Sequence, residues 1–335
     1  MWGISCDKIS ADWAIQRIKG LSLSIAIKNA FKANKQEQET VSSVKTLINS
    51  FRYPKFGPGM MWETCAKKIT GMGGKILLGH SVSEISQSDK GSWILTTNDK
   101  ENYSEFDFVL SSAPIKELIP SLKPALPESV IKASQNLFYR DFLIVVLILK
   151  DENKFTDNWI YIHDNEVKVA RIQNFKAWSK YMVPDENMTC YGLEYFCFEG
   201  DGLWKSDNSE LIQLGKSEAE KIGICKMEDV IDGYVVRQSK AYPVYDKTYK
   251  ENVSVIKNAL KKYDGLYLVG RNGMHKYNNQ DHSMMTAMLA AKNIIAGKEL
   301  YDLWNVNEDA KYHEGGDRGA DIEIIVGRAV PGKVA

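Results

Sequence analysis

The chain has no excess of either charge: 43 lysines and arginines balance 43 aspartates and glutamates over 335 residues. No global field therefore draws it to nucleic acid or to an anionic membrane surface. Cysteine is sparse and odd in number. The five cysteines, Cys6, Cys65, Cys190, Cys197 and Cys225, are widely spread, form no C-x-x-C pair and follow no secretory signal, which argues for a reducing cytoplasm and against a disulfide framework. Cys190 and Cys197 stand in an alternating, aromatic-rich stretch and read as small hydrophobes. Histidine is equally scarce, and His80, His163, His275, His282 and His313 show neither H-x-x-x-H nor H-E-x-x-H spacing, so no metal site is expected. Long apolar runs are missing too. The longest, Phe142 to Leu149, is too short to cross a bilayer, and its β-branched content suits a buried strand.

What the chain does contain is concentrated between Gly265 and Gly297. Leu266, Tyr267, Leu268 and Val269 form a compact apolar run ending at Gly270. A polar loop follows, and then Met284, Met288, Ala291 and Ile295 repeat at helical spacing before Gly297, a natural C-cap. Strand, loop and helix thus succeed one another. Asp281 or Ser283 can cap the helix, whose free N–H groups and dipole favour an electron-rich ligand at that end.

Elsewhere the periodicity changes in a way that predicts two interleaved domains. Residues 1–50 read as helices of a substrate or cap domain, with Ser10 a plausible N-cap. A helix is predicted from about Met60 to Thr70, with Met61, Cys65 and Ile69 on one face and Gly71 ending it. KILLGHSVSEISQ, SWILTTN and FDFVLSSAP then read as strands. Residues 115–253 alternate between helical and strand patterns, with YRDFLIVVLIL, WIYIH, VKVARIQ and CYGLEYFCFEG as strand candidates, and should build a substrate-facing sheet. Arg171, Asn174, Trp178, Glu194, Tyr195, Phe196, Asp201 and Trp204 cluster there, either around a substrate or as a packed face with solvated edges.

The Gly265–Gly297 segment resembles the C-terminal flavin-binding motif of the amine oxidase, protoporphyrinogen oxidase and UDP-galactopyranose mutase superfamily. FRYPKFGPGMMWE, GGKILLGHSVSEI, FVLSSAP and AYPVYD fall in the order that family shows, and together they cover roughly residues 1–310. The resemblance implies an α/β fold with an α+β substrate domain. In it an FAD-binding, Rossmann-like domain (51–114 and 254–310) is interleaved with a mixed-sheet substrate-binding domain (115–253), and a tail (311–335) lies outside the match. It also implies FAD as cofactor, with Gly270 and Arg271 at the pyrophosphate and Gln280, Asp281, His282 and Ser283 along the pyrimidine edge of the flavin. Val82 matches the position that meets the adenine, Ala113 and Pro114 a strand end near the cofactor, and Gly59 and Met60 a turn beside the ring. Arg52, Tyr53, Arg171, Tyr242 and Tyr245 are placed near a small-molecule substrate. One part of the family pattern is missing: no strand–G-x-G-x-x-G–helix occurs anywhere in the chain. The Rossmann-like domain is therefore expected to be incomplete, the chain being the C-terminal two-thirds of a longer flavoprotein or needing a partner polypeptide that supplies this unit.

Three functions are compatible with these residues. The first is an FAD-dependent oxidoreductase, with hydride passing from substrate to flavin N5. The second is a mutase-like isomerase acting on a sugar nucleotide. The third is an inactive fragment or one half of a split flavoprotein.

Overall fold

The computed structural model describes residues 8, 10, 51–152 and 156–307. The expected helices of residues 1–50 and the tail after 310 lie outside these, apart from Lys8 and Ser10. Among the described residues no helix is long and apolar enough to cross a membrane.

Two hydrophobic cores organise the chain. The second in sequence is built on a five-stranded sheet of order β10–β6–β9–β8–β7. One of its inner strands is β6, Tyr139–Lys150, a run in which buried and half-buried residues alternate as far as Leu149. Leu143, Val145, Leu147 and Leu149 point into this core, where Tyr191, Leu193, Tyr195 and Cys197 of β9 (Met188–Cys197) meet them. Helix α6 (Asn208–Lys221) closes it with Leu211 and Ala219. Asp157–Asn174 supplies the outer strands β7 (Trp159–Tyr161) and β8 (Arg171–Asn174), and β10 spans Val230–Pro243.

The other core joins residues distant in sequence, from Ile85 to Leu137 and from Ile256 to Val306. It includes an antiparallel meander of β1 (Val82–Gln87), β2 (Trp93–Thr97) and β3 (Asn102–Phe106), while helix α1 (Gly59–Gly71) precedes the meander and buries none of its residues among the described ones. Strand β4 (Val109–Ser111) leads through Pro114 into α2 (Ile115–Ser121), the short strand β5 (Leu122–Lys123) beside β1, and α3 (Glu128–Gln135). Later the chain returns through α7 (Tyr249–Leu260), β11 (Leu266–Leu268) and α8 (Gln280–Ala296). The short helices α4 (Phe175–Trp178) and α5 (Gly202–Lys205) decorate the sheet domain. This mixed α/β organisation is the predicted fold class. Apolar Ile76–Leu78, predicted as part of a strand, pairs with nothing in the described structure, whereas the polar strand β3 was not singled out by periodicity.

A bulge in β10 links the two cores. Between Gln238 and Tyr242 its register against β6 shifts, and Lys240 takes a positive φ of 51°. Buried Asp141 stabilises the kink by accepting from the backbone N–H groups of Lys240 (2.5 Å) and Glu199 (2.6 Å). The kink delivers Ala241 and Tyr242 to the loop after β11.

Candidate active site

The site starts at a parallel strand pair. β11 runs beside β4 with Leu268 opposite Ser111, and the Val269 N–H continues the ladder to the Ser111 carbonyl at 3.0 Å. The chain then turns sharply. A Cβ on Gly273 would lie 2.5 Å from the Val269 carbonyl and 2.6 Å from that of Ser111, so only glycine lets this loop close onto the strand ends. The loop is held from all sides: the Gly270 N–H donates to Thr286 Oγ1 at 2.9 Å, Asn278 Nδ2 to the Gly270 carbonyl at 3.2 Å, and the Ile115 N–H to the Asn272 carbonyl at 3.1 Å.

Helix α8 begins at once afterwards. Its N-cap is Asn279, not Asp281 or Ser283, and His282 completes a capping box by accepting the Asn279 N–H on Nδ1 at 3.2 Å. Asp281 Oδ1 lies 3.5 Å from the same Nδ1. Gly297 ends the helix in the left-handed region, as predicted. The first-turn N–H groups of α8 thus face a cleft of about 670 Å³. Trp62 of α1, Ser112, Gly270, Arg271, Asn278, Gln280, Ser283, Met284 and Met288 are among its lining residues.

Arg271 joins this cleft to the sheet domain. Its Nε donates to the Asn278 carbonyl at 2.7 Å and its Nη1 to the Ala241 carbonyl at 2.8 Å, while the guanidinium lies 5.3 Å from the Tyr242 ring centre and 5.0 Å from that of Tyr277. Those two rings stack 5.7 Å apart. Burial, and then Tyr277, raise the Tyr242 phenol pKa, so it stays a neutral hydroxyl. On the sheet beyond, Arg171 pairs with Glu194, which is 1% exposed, through Nε at 2.8 Å and Nη2 at 2.6 Å. Gln173 donates to the other carboxylate oxygen at 2.5 Å. Burial alone would lower the Arg171 pKa, but the adjacent carboxylate reverses that and holds it above the ordinary value.

The remaining candidates fall elsewhere. Tyr245 is fully buried, stacks on Tyr249 at 4.2 Å and accepts the Tyr277 N–H at 2.7 Å, which makes it an anchor of the loop. Tyr53 packs on Trp178 at 4.9 Å, and that indole stacks on Trp159 at 5.1 Å; Arg52 beside it is exposed. Gly59 and Met60 open α1, where a Cβ at Gly59 would meet nothing within 4 Å and Met60 Sδ accepts the Phe56 N–H at 3.3 Å. From that helix it is Trp62 that reaches the cleft, a residue periodicity does not distinguish from its neighbours. Val82 is half exposed at the start of β1, while Ala113 and Pro114 connect β4 to α2 next to the loop. Folding also brings His80, Asp99 and Glu101 together, with ligand atoms within 4.8 Å of one another, on an exposed part of the meander that sequence spacing does not reveal.

His275 is one of three buried polar residues of the loop, with Lys276 and Asn278. It adopts φ 47°, is 2% exposed, lies edge-on to Tyr139 at 4.9 Å, and contacts the Val244 carbonyl through Nε2 at 3.3 Å. Its Nδ1 has no hydrogen-bond partner among the described residues. Burial, partly offset by the Val244 contact, pushes its pKa down to about 4.

A parallel strand pair, a glycine turn and a capped helix meet an antiparallel sheet at one cleft, the mixed α/β arrangement of an FAD-binding fold. The chain belongs to the family of flavin containing amine oxidoreductases, which it matches over residues 26–295. Among solved structures it is similar to a reduced UDP-galactopyranose mutase, with 20% identity and a TM-score of 0.69 over 88% of this chain and 62% of that one. It is also similar to an Exiguobacterium sp. 255-15 protein assigned as a protoporphyrinogen oxidase, with 16% identity and a TM-score of 0.52 over 69% of this chain and 51% of that one. The chain therefore spans less than two thirds of the length of either structure. No curated protein matches the sequence itself.

Proposed function

We propose that the cleft at the start of α8 binds FAD and that the protein acts as an amine oxidase-like oxidoreductase on a small molecule in a reducing cytoplasm. The observation that carries the reading is the loop between β11 and α8. There Gly273 lets the loop close onto the strand ends, first-turn N–H groups face the cleft, and the walls are mostly apolar, the combination expected of a cofactor pocket with a few orienting polar groups. A flavin held there would supply a hydride acceptor at N5. The protein's own part is orientation and electrostatics. The α8 N-terminus would stabilise negative charge on the pyrimidine edge through backbone N–H groups of Gln280 to Ser283. Arg271 holds the loop against Ala241, so the cleft and the sheet keep a fixed distance. Arg171, oriented by Glu194, and the neutral Tyr242 hydroxyl offer donors on the substrate side.

A second reading, a flavin-dependent isomerase of a sugar nucleotide, is favoured by one feature: the Arg271 guanidinium lies 5.3 Å from the Tyr242 ring and 5.0 Å from the Tyr277 ring beside the cleft, a cation with aromatic neighbours of the kind an anionic substrate can use. Because the chain holds no G-x-G-x-x-G turn, both readings include a nucleotide-binding unit beyond these residues. The test is to titrate FAD into the 335-residue chain, alone and with a strand–G-x-G-x-x-G–helix unit joined upstream, following flavin absorbance and fluorescence. Stoichiometric binding in either form supports the cofactor reading, and absence of binding in both refutes it. Turnover that consumes an oxidant marks the oxidoreductase, and turnover that needs prior reduction with no net oxidation marks the isomerase.

A further inference from the structure

The meander of β1–β3 carries a side-chain cluster that the cofactor cleft does not use. Its frame is a cross-link between two segments. The Asn98 N–H donates to the Ser81 carbonyl at 2.8 Å and the Ser81 N–H to Asn98 Oδ1 at 3.3 Å, which ties the start of β1 to the turn between β2 and β3. That turn is closed by the Lys100 N–H on the Thr97 carbonyl at 2.9 Å and the Thr97 N–H on the Glu101 carbonyl at 3.0 Å. His80 is thereby set beside Asp99 and Glu101, and one ligand atom from each lies within 4.8 Å of the others. Each of the three is oriented by a group outside the cluster. His80 Nδ1 donates to the Leu78 carbonyl at 2.9 Å; a carbonyl only accepts, so in the neutral ring the lone pair sits on Nε2, which lies 3.8 Å from Asp99 Oδ2. The Thr97 hydroxyl donates to Asp99 Oδ1 and the Tyr103 hydroxyl to Glu101 Oε2, the latter at 2.8 Å, so each carboxylate has its other oxygen left for an ion. Among the described residues neither carboxylate has a lysine or arginine within ion-pair distance, and the imidazole is the one basic group beside these two like charges.

We propose that His80, Asp99 and Glu101 bind a divalent first-row transition ion, with water completing its coordination. The donor set suits such an ion: an imidazole nitrogen favours zinc and its neighbours over magnesium or calcium, and two carboxylates supply the charge that neutralises it. The outer bonds are those that metal ligands require, the histidine fixed through its other ring nitrogen and each carboxylate held through one oxygen. The spacing agrees. Two ligands of a tetrahedral zinc stand roughly 3.3 Å apart. The 3.8 Å between His80 Nε2 and Asp99 Oδ2 is too long for a hydrogen bond and closes onto an ion with a small movement of either side chain. Glu101 is exposed and has the side-chain freedom to complete the set. The His80 and Asp99 side chains are 32% and 48% exposed, so solvent reaches the open positions. The ion would staple the segment before β1 to the β2–β3 turn, a structural role that does not depend on the flavin. Spacing along the sequence hides this site, because its ligands come from two separate segments that only the Ser81–Asn98 bonds bring together.

The test titrates zinc chloride into the whole 335-residue chain, first stripped with EDTA and dialysed, and follows binding by calorimetry. The parent should bind zinc at this site, and magnesium at the same concentration should not displace it. His80→Gln, Asp99→Asn and Glu101→Gln, all at exposed positions, should each weaken that zinc by about tenfold or more, while the unfolding midpoint measured in EDTA stays that of the parent. Tyr103→Phe removes only the hydroxyl that holds Glu101 and should weaken it by roughly tenfold. Because this variant alters no ligand, it decides the matter even where a ligand variant folds poorly. Absence of zinc binding overturns the proposal. Zinc binding that the variants retain at parental affinity overturns it as well, since the ion would then sit elsewhere, at the cysteines for example. Displacement by equal magnesium would reduce the cluster to an acidic patch and refute the site. None of these measurements involves FAD, so the cofactor reading and this one fail separately.

Discussion

Acidification should destabilise this protein through His275 in a calculable way. The ring is buried in the loop that shapes the cleft, and its pKa falls from an ordinary 6.5 to about 4. Its folded-state pKa is depressed, so the unfolded chain binds the proton first as pH falls, and the stability held by the neutral ring is complete above about pH 6.5 and lost toward pH 4. Linkage puts the loss at about 2 kcal/mol at pH 5 and about 3 kcal/mol at pH 4. Other groups titrate in the same window, so the quantity to measure is a difference. His275→Asn keeps a side chain that tolerates the left-handed backbone and removes the titration. Urea unfolding of parent and variant between pH 7.5 and 4.5 should show the parent losing stability more steeply, by up to about 1.4 kcal/mol per pH unit. With a urea m value of about 3 kcal/mol/M, the two midpoints would converge by roughly 0.7 M between pH 7.5 and pH 5. Parallel curves would refute the reasoning, because they would mean that His275 is either solvated or not neutral in the folded state.

Two further expectations concern the site. Gly273→Ala places a methyl within 2.6 Å of two carbonyl oxygens, so β4 and β11 must part; a cost of about 3 kcal/mol and loss of flavin affinity are expected, read by urea midpoint and flavin fluorescence, and a neutral substitution would contradict the close approach. Glu194→Ala strips the partner from partly buried Arg171 and should cost about 3–5 kcal/mol, whereas the double change Arg171→Met with Glu194→Leu should cost less than the single one; equal losses in urea would show that the ion pair is not what the single variant breaks.

Much of this architecture could be read in the chain without coordinates. The alternation of Tyr139–Lys150 determines an inner strand because a period of two puts one face in a core, and the apolar run into Gly270 and the helix ending at Gly297 follow from local chemistry of the same kind. The mixed α/β class is legible from these pieces. β10 was harder, because Gly233, Arg237 and the kink at Lys240 interrupt its pattern and its pairing with β6 is non-local. The α8 cap was misplaced by two residues or more, since Asn279, Asp281 and Ser283 can all cap and only the loop's hydrogen bonds choose among them.

What the sequence by itself determined is local: which segments are strand or helix, where glycine must turn the chain, and that neither net charge nor cysteine spacing adds a competing theme. The tertiary structure decided direction. It turned Met288 and Ile295 outward, buried Tyr245 as a loop anchor, brought Trp62 to the cleft, and joined Arg271 to a strand thirty residues earlier. Periodicity states that one face of an element is apolar, but which neighbour covers that face depends on contacts between residues far apart in the chain, and no local pattern encodes them.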